Sequence, residues 1–176
     1  MRTVRLSLIA CAAGVLLVPA AVAQELPKPG PEHERLKKAE GTWDATVNMG
    51  GQESKGTMTY KMDLGGLWLV SEFEGEFGGM KFKGRGLDTY DAAKKKYVGI
   101  WVDSFSTSPL MLEGTYDAGT KTRTMTGEGP GMEGAQTKYK TVLQEKDDGT
   151  MVFTISSVGK DAKDAPVMTI TYRRKK

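Results

Sequence analysis

One cysteine and one histidine, Cys11 and His33, are all that 176 residues provide of the two side chains most used as metal ligands, nucleophiles and bases. Aromatic residues make up 8% of the chain, and 25 basic residues nearly balance 22 acidic ones. The longest apolar run, Leu6 to Val18, is 13 residues, short of the roughly 20 that a membrane-spanning helix needs. These scarcities argue against histidine-rich metal centres, a retained membrane anchor and a nucleic-acid footprint. The basic residues are scattered among acids apart from Lys94-Lys95-Lys96 and the tail Arg173 to Lys176.

Arg2 and Arg5 precede the apolar run, and Ala21-Val22-Ala23 supplies the small residues that a signal peptidase reads. The expectation is an exported protein, periplasmic or secreted, with residues 1–23 as signal peptide and 24–31 as a linker. Leu8-Ile9-Ala10-Cys11 resembles a lipoprotein box, but cleavage there would strand the apolar residues Ala12 to Val18 as an exposed tail. With cleavage after Ala23 the chain retains no cysteine, which excludes disulfides and thiolate chemistry. Loss of Arg2 and Arg5 leaves 23 of the 25 basic residues against 22 acidic, so the basic balance of the whole chain says little about partners.

Leu26 to Pro31 contains three prolines and no periodicity, and Glu32 to Glu40 carries Leu36 and Ala39 at a helical spacing up to Gly41. This predicts one or two helical turns able to plug one end of a barrel. After Gly41 the period is two. Trp43, Ala45, Val47 and Met49 alternate with polar residues, as do Met58, Tyr60 and Met62, and eight further runs follow between Leu67 and Tyr172. Gly, Asp or Asn occupies nearly every gap, including Gly50-Gly51, Gly78-Gly79, Asp147-Asp148-Gly149 and Gly159 to Asp164, whereas Gly127 to Gly131 reads as a further turn. The fold class expected of residues 32–176 is all-β: an antiparallel up-and-down meander of about ten strands with a short N-terminal helix. Closure removes the edges of so long a meander.

Several motifs carry a resemblance. His33…Leu36…Gly41-Thr42-Trp43, Leu64-Gly65-Gly66…Leu69-Val70 and Gly84…Leu87…Tyr90-Asp91…Lys96-Tyr97…Trp101-Val102-Asp103-Ser104 are followed by Glu113-Gly114-Thr115-Tyr116-Asp117 and Ile170-Thr171-Tyr172. In combination the chain resembles the bacterial domain-of-unknown-function family 1579 over about 140 residues. The resemblance implies a calycin-like barrel, similar in outline to lipocalins, fatty-acid-binding proteins and the haem barrel nitrobindin, and implies no reaction. A nitrobindin-like barrel holds iron through a histidine late in the chain. No histidine follows His33 here, so no haem, and no other cofactor, is expected.

No nucleophile–base pair, metal-ligand cluster or phosphate loop emerges from the spacing, and no catalytic residue or metal ligand is assigned. His33 suits a packing role where the helix meets the barrel. Asp103 is in phase with Trp101, Glu72 with Trp68 and Val70, and Glu113 with Met111. Two inward carboxylates would acquire raised pKa values and could act as acid and base or anchor a ligand; a rim salt bridge is the alternative. The candidate ligand-binding residues are Trp101, Asp103, Tyr60, Glu72, Trp68 and Glu113. A wider aromatic and methionine set, including Trp43, Tyr97, Tyr139, Phe153, Met49, Met58, Met111 and Met168, suits either an adaptable apolar cavity or a packed core. The expected partner is a small apolar or amphipathic molecule, with an interaction barrel that holds no ligand, or a carboxylate enzyme, as alternatives.

Overall fold

The computed structural model describes residues 26–131, 136–158 and 166–176. The signal segment ending at Ala23, the Cys11 box and the Gly159 to Asp164 turn lie outside them. A helix, α1 (Pro31–Lys37), precedes ten strands. These are β1 (Gly41–Met49), β2 (Gln52–Asp63), β3 (Trp68–Phe77), β4 (Met80–Asp91), β5 (Lys96–Asp103), β6 (Leu110–Asp117), β7 (Thr122–Pro130), β8 (Gln136–Glu145), β9 (Met151–Val158) and β10 (Pro166–Arg174). Each strand pairs antiparallel with its neighbours in sequence, and β1 pairs with β10, which closes the barrel.

Turn chemistry differs between the two ends. At one end Gly50-Gly51 and Gly78-Gly79 form two-residue loops between the pairs Met49↔Gln52 and Phe77↔Met80. All four glycines have positive φ, from 57° to 83°, as a type I′ hairpin demands. At the other end Asp91 accepts from the Ala93 and Lys94 amides, and Asp117 from the Gly119 and Thr120 amides. Lys95 and Lys121 then take the left-handed conformation that returns the chain to its strand. This second end also receives α1. The expected one or two helical turns form as Pro31–Lys37, with Pro31 at the first helical position, where no amide is missed.

The helix is tied down from several directions. Leu36 packs with Leu69, Tyr97 and Met125 inside the barrel. Arg174 on the last strand donates from Nη1 to the Glu40 carbonyl at 2.5 Å and from Nη2 to the Lys38 carbonyl at 2.9 Å. Its guanidinium lies 4.3 Å from the Trp43 ring centroid, and Trp43 Nε1 donates to the Ala39 carbonyl at 2.8 Å. His33 is buried: its Nδ1 accepts from the Gly30 amide, and its Nε2 is 3.4 Å from Thr89 Oγ1. These bonds leave the histidine in a structural position.

Gly127 to Pro130 departs from the sequence expectation. These residues continue β7, with Gly127 opposite Leu112 in β6 and Tyr139 in β8. The glycine serves close approach: a Cβ at Gly127 would run into the Met111 carbonyl and lie 3.0 Å from Leu112 Cα. Both obstacles are backbone atoms of a paired strand. Gly127→Ala is therefore expected to destabilise the fold by about 1–3 kcal/mol, the usual cost of overpacking, read as a lowered midpoint in urea at unchanged slope. An unchanged midpoint would show that β6 and β7 are free to separate.

Candidate functional site

Strand alternation turns Trp43, Ala45, Val47, Met58, Phe73, Ile170 and Tyr172 into one core cluster, and Leu69, Tyr97 and Met125 into a second beneath α1. Between and above them the interior is hollow. A chamber of about 330 Å³ opens at the glycine-hairpin end, and one of about 250 Å³ lies beneath α1. Tyr60, Arg123 and Leu143 border both, so they form the partition.

The larger chamber has apolar walls, among them Met58, Phe73, Phe82, Leu112, Phe153 and Ile155. Trp101 Nε1 donates to Asp103 Oδ2 at 3.0 Å, and Asp103 Oδ1 accepts from the Phe105 amide at 2.9 Å. One carboxylate thereby fixes both the indole and the start of the β5–β6 loop. The indole lies over Gly84, where a Cβ would run into it, whereas a Cβ at Gly86 would run into Ser71 Oγ and lie 3.2 Å from the indole. A run of ring contacts leads from the wall to the mouth: Phe73 to Phe77 at 6.0 Å, Phe77 to Phe82 at 4.7 Å and Phe82 to Phe105 at 5.0 Å. Phe105, 52% exposed, stands at the rim.

The floor of this chamber is polar. Arg123 Nη1 stands 3.8 Å from Asp88 Oδ1, paired in charge but beyond hydrogen-bond reach. The two side chains keep 15% and 19% of their exposure, and both face the chamber. Burial pushes the Asp88 carboxyl above its ordinary value, and the Arg123 charge opposes that rise. Tyr60 and Tyr172 line the same floor, each close enough to perturb the other's phenol. Burial raises both phenols, so both remain neutral donor–acceptors across the physiological range.

Besides Arg123, the smaller chamber is bordered by Arg35, Lys38, Lys146 and Arg174, with Glu145 as its single carboxylate among the described residues. Three of these four cations are engaged, Lys146 by donating to Gln144 Oε1 at 2.5 Å. Arg35 donates to Tyr97 Oη at 3.0 Å and lies over the Tyr116 ring, and Arg174 holds the helix-end carbonyls. Among the described residues, no cluster of three or more His, Cys, Asp or Glu could hold a metal ion.

Of the six residues that sequence reasoning singled out, the barrel brings three into the larger chamber: Tyr60, Trp101 and Asp103. Glu72, Trp68 and Glu113 border neither chamber. Glu72 is exposed and pairs with Arg85 at 3.1 Å, while Glu113 pairs with Lys96 at 2.5 Å and Lys94 at 3.4 Å. Trp68 shares the β3 face of Glu72 by alternation. The three carboxylates considered as acid and base are therefore not assembled, because only Asp103 lies on an inner face. Met111, 57% exposed, also turns outward. Sequence reasoning missed Asp88 and Arg123. Their signal was phase: Asp88 is two residues from Gly86 and Tyr90, and Arg123 is two from Met125, all on the inward face.

The sequence profile of a family described as "Protein of unknown function (DUF1579)" matches residues 28–174. No curated protein matches the chain. Among solved structures, a redesigned beta barrel is 17% identical, with 81% of this chain and 96% of that one covered and a TM-score of 0.43.

The raised Asp88 carboxyl has a consequence with a definite sign. The folded chain holds this proton more tightly than the unfolded chain, so the Asp88 contribution to stability is full below the unfolded midpoint and is lost as pH rises through the folded one. NMR titration of its side-chain carboxyl carbon is expected to show a midpoint above about 3.9, and Arg123→Met is expected to move it higher still. A midpoint at or below the ordinary value would show that the floor is well solvated.

Proposed function

We propose that this chain, which belongs to the DUF1579 family, is an exported carrier that holds one small amphipathic molecule in the larger chamber of its barrel. One observation supports the reading above others: the 330 Å³ chamber has an apolar wall, a polar floor and an aromatic mouth. That combination buries an alkyl or aromatic body and orients it by one end. A core meant only for stability would lose by leaving such space, since unfilled apolar volume forfeits dispersion and transfer energy. Methionines such as Met58 and Met168 on the wall suit a ligand of irregular shape. Export is proposed on the arginine, apolar and small-residue order of the first 23 residues.

A second reading has its own observation. Leu87, Ile100 and Met111 occupy adjacent positions on three neighbouring strands, at 40%, 36% and 57% exposure, and Val102 is close by on β5. Such an outward apolar row suits a barrel that works through its surface.

Titration with the neutral fluorophore N-phenyl-1-naphthylamine separates the two readings. The carrier reading expects saturable binding of one molecule per chain. Ile155→Trp, which fills the chamber from its wall, is expected to weaken it at least tenfold while circular dichroism is unchanged. Native mass spectrometry of protein from the cell envelope is expected to show an added mass that denaturation removes. A protein that stays empty in both experiments would transfer the weight to the surface reading. Export is checked separately by the intact mass, which is expected to correspond to a chain beginning at Gln24.

A further inference from the structure

Building on the reading of the barrel as a carrier, we infer that the larger chamber selects an uncharged head group with both a donor and an acceptor, and that the facing pair Asp88 and Arg123 sets this choice. Among the described residues, the chamber is lined by three charged side chains: Asp88, Asp103 and Arg123. Asp103 is taken by the Trp101 indole and the Phe105 amide near the mouth. The pair on the floor is thus the charge that a head group meets.

An anionic head reaching the floor gains from Arg123 and loses to Asp88, and a cationic head does the reverse. With the two charges 3.8 Å apart, attraction and repulsion largely cancel at any position that touches both. The desolvation cost of the ligand's own charge then has nothing to offset it. A hydroxyl meets no such cost. It donates to the Asp88 carboxylate and accepts from the Arg123 guanidinium, and so bridges two groups too far apart to bond directly. Tyr60 and Tyr172 extend the floor with further neutral hydroxyls. At about 330 Å³ the chamber falls at the small end of the range of ligand pockets, about 300–1,000 Å³. The ligand class is therefore a small amphipathic molecule whose head is a primary alcohol, or an equivalent neutral donor–acceptor group, and 1-decanol is a simple representative.

The test compares 1-decanol, decanoate and decylamine at neutral pH. Binding is followed by Trp101 fluorescence, with Trp101→Phe as the blank. The alcohol is expected to bind at least tenfold more tightly than either ion. Asp88→Asn is expected to raise the affinity for decanoate relative to the alcohol at least tenfold, and Arg123→Gln to do the same for decylamine. The comparison in the unaltered chain needs no variant, so it decides even where a single substitution leaves a lone buried charge and prevents folding. Decanoate or decylamine binding as tightly as the alcohol would overturn the inference, as would folded variants with unchanged ratios. Naphthylamine binding without any preference for the alcohol would overturn the head-group inference alone, whereas failure of every ligand would remove the carrier reading beneath it.

Discussion

Seven residue pairs between β1 and β10, from Trp43↔Arg174 to Met49↔Met168, join the ends of the meander, and every other feature depends on that closure. A closed sheet has an inside, so each strand must commit one of its two faces to it. With about eight strands, side chains suffice to fill a barrel; ten make a wider ring. The excess width appears as two chambers rather than one, because Leu143 and the large polar side chains of Tyr60 and Arg123 span the middle. Closure also brings Arg174 to the end of α1, where it bonds two helix-end carbonyls and stacks on Trp43. The same seam that makes the interior therefore fixes the plug over one of its ends.

Charge inside such a barrel is costly. A pair of opposite charges about 4 Å apart gains about 4 kcal/mol at the effective dielectric of a protein, while each ion gives up several kcal/mol of hydration. Asp88 and Arg123 sit near that balance. They are largely buried, are not hydrogen-bonded to each other, and both line the chamber. Surface pairs such as Glu72–Arg85 and Lys83–Glu74 pose no such problem, since water solvates their components in either state. The contrast separates exposed charges on the outside from charges that shape the inside.

Much of the fold was legible in one dimension. The period of two after Gly41, the Gly-Gly and Asp-rich gaps and the short helical segment before Trp43 correspond to ten strands, their hairpins and α1. The site was legible only in part. Trp101 and Asp103 were recognisable as partners because two residues on one strand face interact locally, and their 3.0 Å bond needs no other strand. Glu72 and Glu113 carried the same kind of local pattern, yet their neighbours in phase, Val70 and Met111, lie on outer faces. Apolar residues on the outside of β3, β5 and β6 made the two faces look alike.

Alternation, turn chemistry and length were enough to determine an antiparallel all-β chain of ten strands with a helical lead, since those signals act between residues close in sequence. Which face of each strand lines the interior was decided by the tertiary structure, and so was the meeting of Asp88 on β4 with Arg123 on β7. Closure sets inside and outside for all ten strands together. The approach of two charges 35 positions apart depends on the curvature of the whole ring, which no local pattern encodes.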